Sequence, residues 1–277
     1  MRKGLVMAHK LGVSGSVIYS NQEQYAELFW EGVDHIEIGE FADYKAVDKF
    51  IELCKEKQVG FGIHSPLLRN GSKYDLLEKV NYDSKYAWKQ LELEAEEMSA
   101  LGAKYLLVHF PYFKEEVELN TDEIIEEGLK KLNYIQNKYS IELVCEPKLG
   151  LNRSSAGINY LNKFPVEIWE KYNIKLCIDI GDYILATENE ILSYIVKWKD
   201  FIKVVHLHNI HYEGDRYIWI PVHPTQEYSG NHKVEEIIKF LSQSKDVTFV
   251  FEHTPETNPS KQFVNDGYKW VSSMLKQ

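Results

Sequence analysis

Short apolar runs recur along this chain, and six of them stop at a residue able to hold a metal ion. They are GFGIH ending at His64, YLLVH at His109, ELVCE at Glu146, KLCID at Asp179, KVVHLH with His206 and His208, and FVFE at Glu252. Each is rich in β-branched and aliphatic residues and is followed by turn formers, which predicts a buried strand. Residues 5–9 and 35–38 predict two further strands. Helical stretches are expected between them, over residues 23–31, 44–57, 82–101, 121–139, 166–172, 188–198, 233–243 and 266–276. Asn81-Tyr82-Asp83 and Thr121-Asp122-Glu123 supply N-cap signals, and Gly32, Gly60 and Gly102 stand where C-terminal caps belong.

Eight strands alternating with eight helices predict a parallel sheet, and right-handed crossovers close it into a (β/α)8 TIM barrel. An open doubly wound sheet is the structural alternative, but no Gly-rich phosphate loop follows the first strand. In a barrel, residues that close successive strands share the C-terminal rim, where such folds keep their active sites. Two connections there are longer than a minimal turn, residues 147–164 and 209–231, the second carrying Arg216, Trp219, His223 and Tyr228. Long polar and aromatic loops on a ligand-bearing rim point to binding.

The 277 residues suit one such barrel, and no linker-like stretch divides residues 1–277, so a single domain is expected. Hydrophobic residues make up 44%, enough for one large core. No apolar stretch approaches the roughly 20 residues of a membrane span, and the apolar run in MRKGLVMAHKLG is too short for a signal peptide. Cys54, Cys145 and Cys177 lack CxxC spacing and read as reduced core thiols, which favours the cytoplasm. The net charge of −10 weighs against a nucleic-acid partner, since phosphate affinity rests on clustered Lys and Arg.

The strand-end residues form a mixed nitrogen and oxygen set, which suits zinc, manganese, cobalt or iron better than calcium. His206 and His208 share a strand face, so one can bind metal while the other meets substrate. Glu146 and Glu252 come from opposite sides of the barrel and can flank one substrate, as ligands or as proton carriers. A lone His or Asp at a strand end is commonly a hydrogen-bonded structural group. Here the joint placement makes the argument. His9 reads as a helix-start cap or a core hydrogen bond with the pocket as rival, His35 as structural at the opposite face, and His253 as packed behind the barrel. Glu37 reads either as a buried ion pair or as a pocket residue.

The motifs HSPLLRN, LGAKYLLVHFP, CEP, CIDIGD, HLHN and FEHTP, in this order and spacing, resemble the xylose isomerase-like barrel superfamily, which includes endonuclease IV, sugar epimerases and inosose dehydratase relatives. The resemblance runs over about residues 5–252. Likeness to endonuclease IV implies two ions, with His64 and His109 on one and Asp179, His206 and Glu252 on the other, bridged by Glu146. Two departures put its third metal in doubt: Asp182 stands where a ligand His is expected, and Pro221-Val222-His223 lacks an Asp. Likeness to the epimerases implies one metal on Glu146, Asp179, His206 and Glu252, with both glutamates as proton carriers. His64 and His109 then complete a two-metal centre or bind sugar hydroxyls or a phosphate.

The leading expectation is a metal-dependent isomerase or epimerase of a sugar, sugar phosphate or related polyol. The alternatives are a two-metal phosphoesterase and a ligand-binding barrel without catalysis. The expected cofactor is a divalent ion (zinc, manganese or cobalt), one or two per chain. Lys148, His208, Asn209, Arg216 and Trp219 are the candidate substrate contacts, with Lys148 and Arg216 suited to a phosphate or carboxylate.

Overall fold

In the computed structural model, which describes residues 9–118, 120–187, 190–225 and 234–276, eight parallel strands close into a barrel. Along the chain these are β1 Lys10–Ser14, β2 His35–Ile38, β3 Gly60–His64, β4 Tyr105–His109, β5 Glu142–Glu146, β6 Lys175–Asp179 and β7 Ile202–Leu207. An antiparallel hairpin of β8 (Asn209–Glu213) and β9 (Arg216–Ile220) follows, and β10 (Thr248–Phe251) then pairs with both β7 and β1 to close the ring.

The period of two along each strand explains both core and site. Tyr105, Leu107, Val144, Cys177, Val204 and Val250 form an apolar cluster of their own. Two residues further along the same faces stand His109, Glu146, Asp179, His206 and Glu252. The intervening residues, such as Leu106, Val108, Leu143, Ile178, Val205 and Phe249, join the larger core packed against the helices. Register completes the placement, with His109 opposite Glu146 and Asp179 opposite His206.

The surrounding helices are α1 Tyr44–Lys57, α2 Ser84–Leu101, α3 Thr121–Tyr139, α4 Ala156–Lys163, α5 Val166–Glu170, α6 Ile180–Thr187, α7 Ile191–Ile195, α8 Val234–Leu241 and α9 Lys261–Leu275. Asp83 caps α2 by accepting the Lys85 N–H at 2.8 Å, and Gly102, at φ 87°, ends it. Among the described residues no helix is long and apolar enough to cross a membrane.

Several expectations are corrected. Among the described residues the first strand is Lys10–Ser14; of the strand expected at 5–9, residues 5–8 lie outside the described residues. His9 precedes that strand and bonds the Ser242 carbonyl at 2.7 Å, so it is a core hydrogen bonder far from the rim. The expected helix at 23–31 is a 3-10 segment, Gln22–Leu28. At 188–198 only α7 and a 3-10 turn, Val196–Trp198, are helical among the described residues. Thr121 is the first residue of α3, whose Asn120 cap makes no side-chain hydrogen bond. Gly60 opens β3, and Gln58 in the left-handed region ends α1.

The connection at 147–164 contains α4. The one at 209–231 contains the hairpin, whose Gly214-Asp215 turn has Gly214 at φ 60°. That two-residue turn between aromatic and β-branched alternation is a hairpin signal. Tyr228 lies outside the described residues.

Candidate active site

Glu146, at the end of β5, is the hub. Its side chain is fully buried and both oxygens are occupied. His64 Nε2 lies 3.2 Å and His109 Nε2 3.1 Å from Oε2, while His206 Nδ1 lies 3.1 Å and Lys148 Nζ 3.2 Å from Oε1. Burial alone would raise the Glu146 carboxyl's pKa, but the charges of Lys148 and His206 and the histidine hydrogen bonds hold it well below the usual range.

His206 is oriented from below. Its Nε2 donates to Glu37 Oε1 at 2.8 Å, and the other Glu37 oxygen accepts the Tyr105 hydroxyl at 2.7 Å. Nδ1 therefore faces Glu146 Oε1 and Glu252 Oε2, the latter at 2.7 Å. Burial disfavours charge on this imidazole, but the carboxylates around it outweigh burial and raise its pKa well above the ordinary value. His208 points elsewhere, with Nε2 2.8 Å from Asp179 Oδ1. That oxygen also accepts the Asp182 N–H at 2.9 Å. Of the two rim histidines, His206 joins the metal-type grouping and His208 orients Asp179.

The two remaining histidines differ. Burial lowers His109 to about 3, so it is neutral, and its Nδ1 is buried without a partner. His64 feels burial as well, but its hydrogen bond to Glu146 and the nearby carboxylates raise it above the ordinary value. Tyr74 stacks on His109, ring centroids 4.8 Å apart at 15°, and lies under Lys73, which pairs with Glu40 at 2.7 Å.

These residues fit a small divalent ion. His64, His109 and Glu146 offer ligand atoms all within 4.8 Å of one another, and so do Glu146, Asp179, His206 and Glu252. The donors are imidazole nitrogens and carboxylate oxygens, with a carboxylate behind His206 as metal-bound histidines require. Glu37 joins a third grouping, with His64 and Glu252. Its two readings thus merge: it is buried and ion-paired, and it faces the pocket.

Of the expected substrate contacts, Lys148, His208 and Trp219 reach this region. Trp219, on β9, stands over the His208 ring at 4.1 Å. Both rings crowd Gly181 at the start of α6, where a Cβ would collide with them. Asn209 is buried at the start of β8 with its amide oxygen turned to the Ile210 N–H. Arg216 does not join the cluster; it is exposed and pairs with Glu256 on the outer rim. Lys148 is held by Asp179 Oδ2 and Asp182 Oδ2, each at 2.7 Å, as well as by Glu146.

The profile of the xylose isomerase-like TIM barrel family matches residues 24–274. The chain belongs to that family. No curated protein sequence matches it. Among solved structures, a D-tagatose 3-epimerase-like protein superposes with a TM-score of 0.68 at 19% identity, covering 95% of this chain and 98% of the other. The D-allulose 3-epimerase from Methylomonas sp. in complex with D-allulose gives 0.68 at 14% identity, covering 97% and 98%. The IolI protein with bound zinc gives 0.62 at 15% identity, covering 96% and 98%. At such identities the likeness is one of fold. Within this family member, sequence reading alone missed Tyr74 and Lys73, which sit in the connection after β3 and follow no periodic signal. It noted Asp182 only as a departure from a metal motif.

Proposed function

We propose that the protein is a metal-dependent isomerase or epimerase acting on a sugar, sugar phosphate or related polyol. The observation that carries this reading is the pair Glu146 and Glu252, from the ends of two different strands, which both meet His206 Nδ1, at 3.1 and 2.7 Å. Two carboxylates flanking one position can take a proton from one face of a substrate carbon and return it at the other. Glu146, Asp179, His206 and Glu252 would hold the divalent ion, which supplies a Lewis acid beside the substrate carbonyl.

The two glutamates are not equivalent. Glu146 is closed in by His64, His109, His206 and Lys148, whereas Glu252 is engaged by His206 and keeps 16% of its side chain exposed. Glu252 is therefore the better placed to accept the first proton. Trp219 and Tyr74 supply apolar walls for the carbon skeleton. The epimerase and IolI relatives lend this reading support at the level of the fold, two of them in complexes with D-allulose and with zinc.

A second reading, a two-metal phosphoesterase, is favoured by the convergence of His64 and His109 on Glu146 Oε2. One experiment separates the two: metal content and kinetics of the His64→Ala, His109→Ala double variant beside the wild type, on sugars and on phosphodiesters. In the isomerase reading the variant keeps its metal and loses mainly substrate affinity. A fall from about two ions to about one, with loss of phosphodiester cleavage, selects hydrolysis instead.

A further inference from the structure

An ammonium has three N–H donors. Lys148 gives two of them as hydrogen bonds, to Asp179 Oδ2 at 2.7 Å and Glu146 Oε1 at 3.2 Å, and Asp182 Oδ2 lies 2.7 Å away as an ion pair. The three acids come from the ends of β5 and β6 and the first turn of α6, and all are buried. Lys148 itself keeps 16% of its side chain exposed. The ammonium is ringed by three carboxylates, so an incoming phosphate or sugar carboxylate would meet a charge that is already negative. Lys148 is thus badly placed as an anion receptor, the role expected of it from sequence.

Two of its three partners, Glu146 and Asp179, also belong to the metal-type grouping with His206 and Glu252. Both Asp179 oxygens are thus engaged, Oδ2 by Lys148 and Oδ1 by His208 and the Asp182 N–H. We propose that Lys148 is a resident cation: its ammonium stands between Glu146, Asp179 and Asp182, where the same three carboxylates would otherwise hold a divalent ion. A divalent ion binds oxygen at about 2.1 Å, so from the distances the ammonium keeps the two aspartates need to close in by about 0.6 Å and Glu146 by about 1.1 Å. Lys148 therefore limits how many ions the centre takes and competes for Asp179. This rests on Glu146 and Asp179 belonging to a metal centre, and is independent of which reaction that centre performs.

The test compares the wild type with Lys148→Met and Lys148→Gln, stripped of metal, reloaded with excess manganese(II) and counted by elemental analysis and native mass spectrometry. Lys148→Met is expected to hold about one ion more than the wild type. Adding Asp182→Asn to it should return the count to the wild-type value. An unchanged or lower count in both single variants overturns the proposal. If Lys148→Met is unstable without metal, manganese(II) should raise its Tm by more than it raises that of the wild type; a variant that stays unfolded with the ion present counts against the idea. A wild type that binds no ion beside a Lys148→Met that binds one removes the metal-dependent function and leaves the resident cation standing. Equal counts above zero do the reverse.

Discussion

Glu37 sits inside a strand beneath the cluster, and its hydrogen bond decides which nitrogen of His206 faces Glu146 and Glu252. Glu37→Gln keeps the shape and removes the charge that holds Nε2–H. The expected result is a 10–100-fold loss of metal affinity with the fold intact, read by titration with manganese(II) or zinc(II). Unchanged affinity would show that His206 is positioned by packing alone. At this scale the sequence was informative wherever a side chain's placement follows from its position on a strand: the last inward residues of the runs were legible as candidate site residues, and the structure brings them into one cluster. It could not tell His206 from His208, because both share a face. The distinction comes from Glu37 beneath one and Asp179 beside the other. Nor could it show that Lys148 is enclosed, since Asp182 reaches it only through the turn from β6 into α6.

Among elements, the connection from β3 to α2 carries Tyr74 into the site, and buried acids shape it. Asp75 Oδ1 accepts the N–H groups of Val80, Asn81 and Tyr82 at 2.6–2.8 Å, and Oδ2 accepts the Ser72 hydroxyl at 2.7 Å. Glu94, on α2, takes the Ser65 hydroxyl at 2.7 Å and the Leu67 N–H at 3.0 Å, and so anchors the chain just after His64. Asp75→Ala leaves three backbone donors unmatched and is expected to cost about 2–4 kcal/mol by urea unfolding. A loss under about 0.5 kcal/mol would mean that water replaces the carboxylate.

Burial acts to raise the Asp75 pKa, but those backbone bonds lower it overall, so its stabilisation is present above the usual carboxylate range and fades as acid protonates it. Such a network left no mark in the hydrophobic pattern. The hairpin did leave one, in the alternation around Gly214-Asp215. Its partners are Arg153, which donates to the Asp215 carbonyl and lies 4.6 Å from the Tyr217 ring, and Glu256. They come from distant parts of the chain.

For the whole molecule, the barrel followed from the order of strands, and its closure is secured by β10 pairing with β1 and β7. The strand at residues 10–14 was hidden because its run is broken by Lys10 and Gly12, and what identifies it is its register against His35 and Thr248. His35 lies near the strand N-terminal ends, stacked on Tyr105 with Nε2 3.1 Å from its hydroxyl. Burial lowers its pKa to about 3, against a smaller upward pull from Glu37.

The unfolded chain takes up that proton near pH 6.5, so it binds more protons than the folded one between pH 6.5 and about 3. Stability from this group is complete above pH 6.5 and falls as pH drops through that window. Between pH 7.5 and 5 the loss should be about 2 kcal/mol. His35→Gln should flatten the pH dependence of urea unfolding by that amount; an equal slope in both proteins would assign the effect to other groups.

The inward residues of β4 to β7 and β10 stand in tiers, apolar Leu107, Val144, Cys177, Val204 and Val250 beneath the ligand-type tier that ends each strand. Among these inward residues the apolar side chains form the lower tier and the ionisable ones the upper. A change of chemistry can therefore proceed by exchanging side chains of the top tier alone, with the barrel beneath acting as an unchanged chassis. On such a chassis, descent would leave proteins of different reaction alike in fold while little of their sequence agrees.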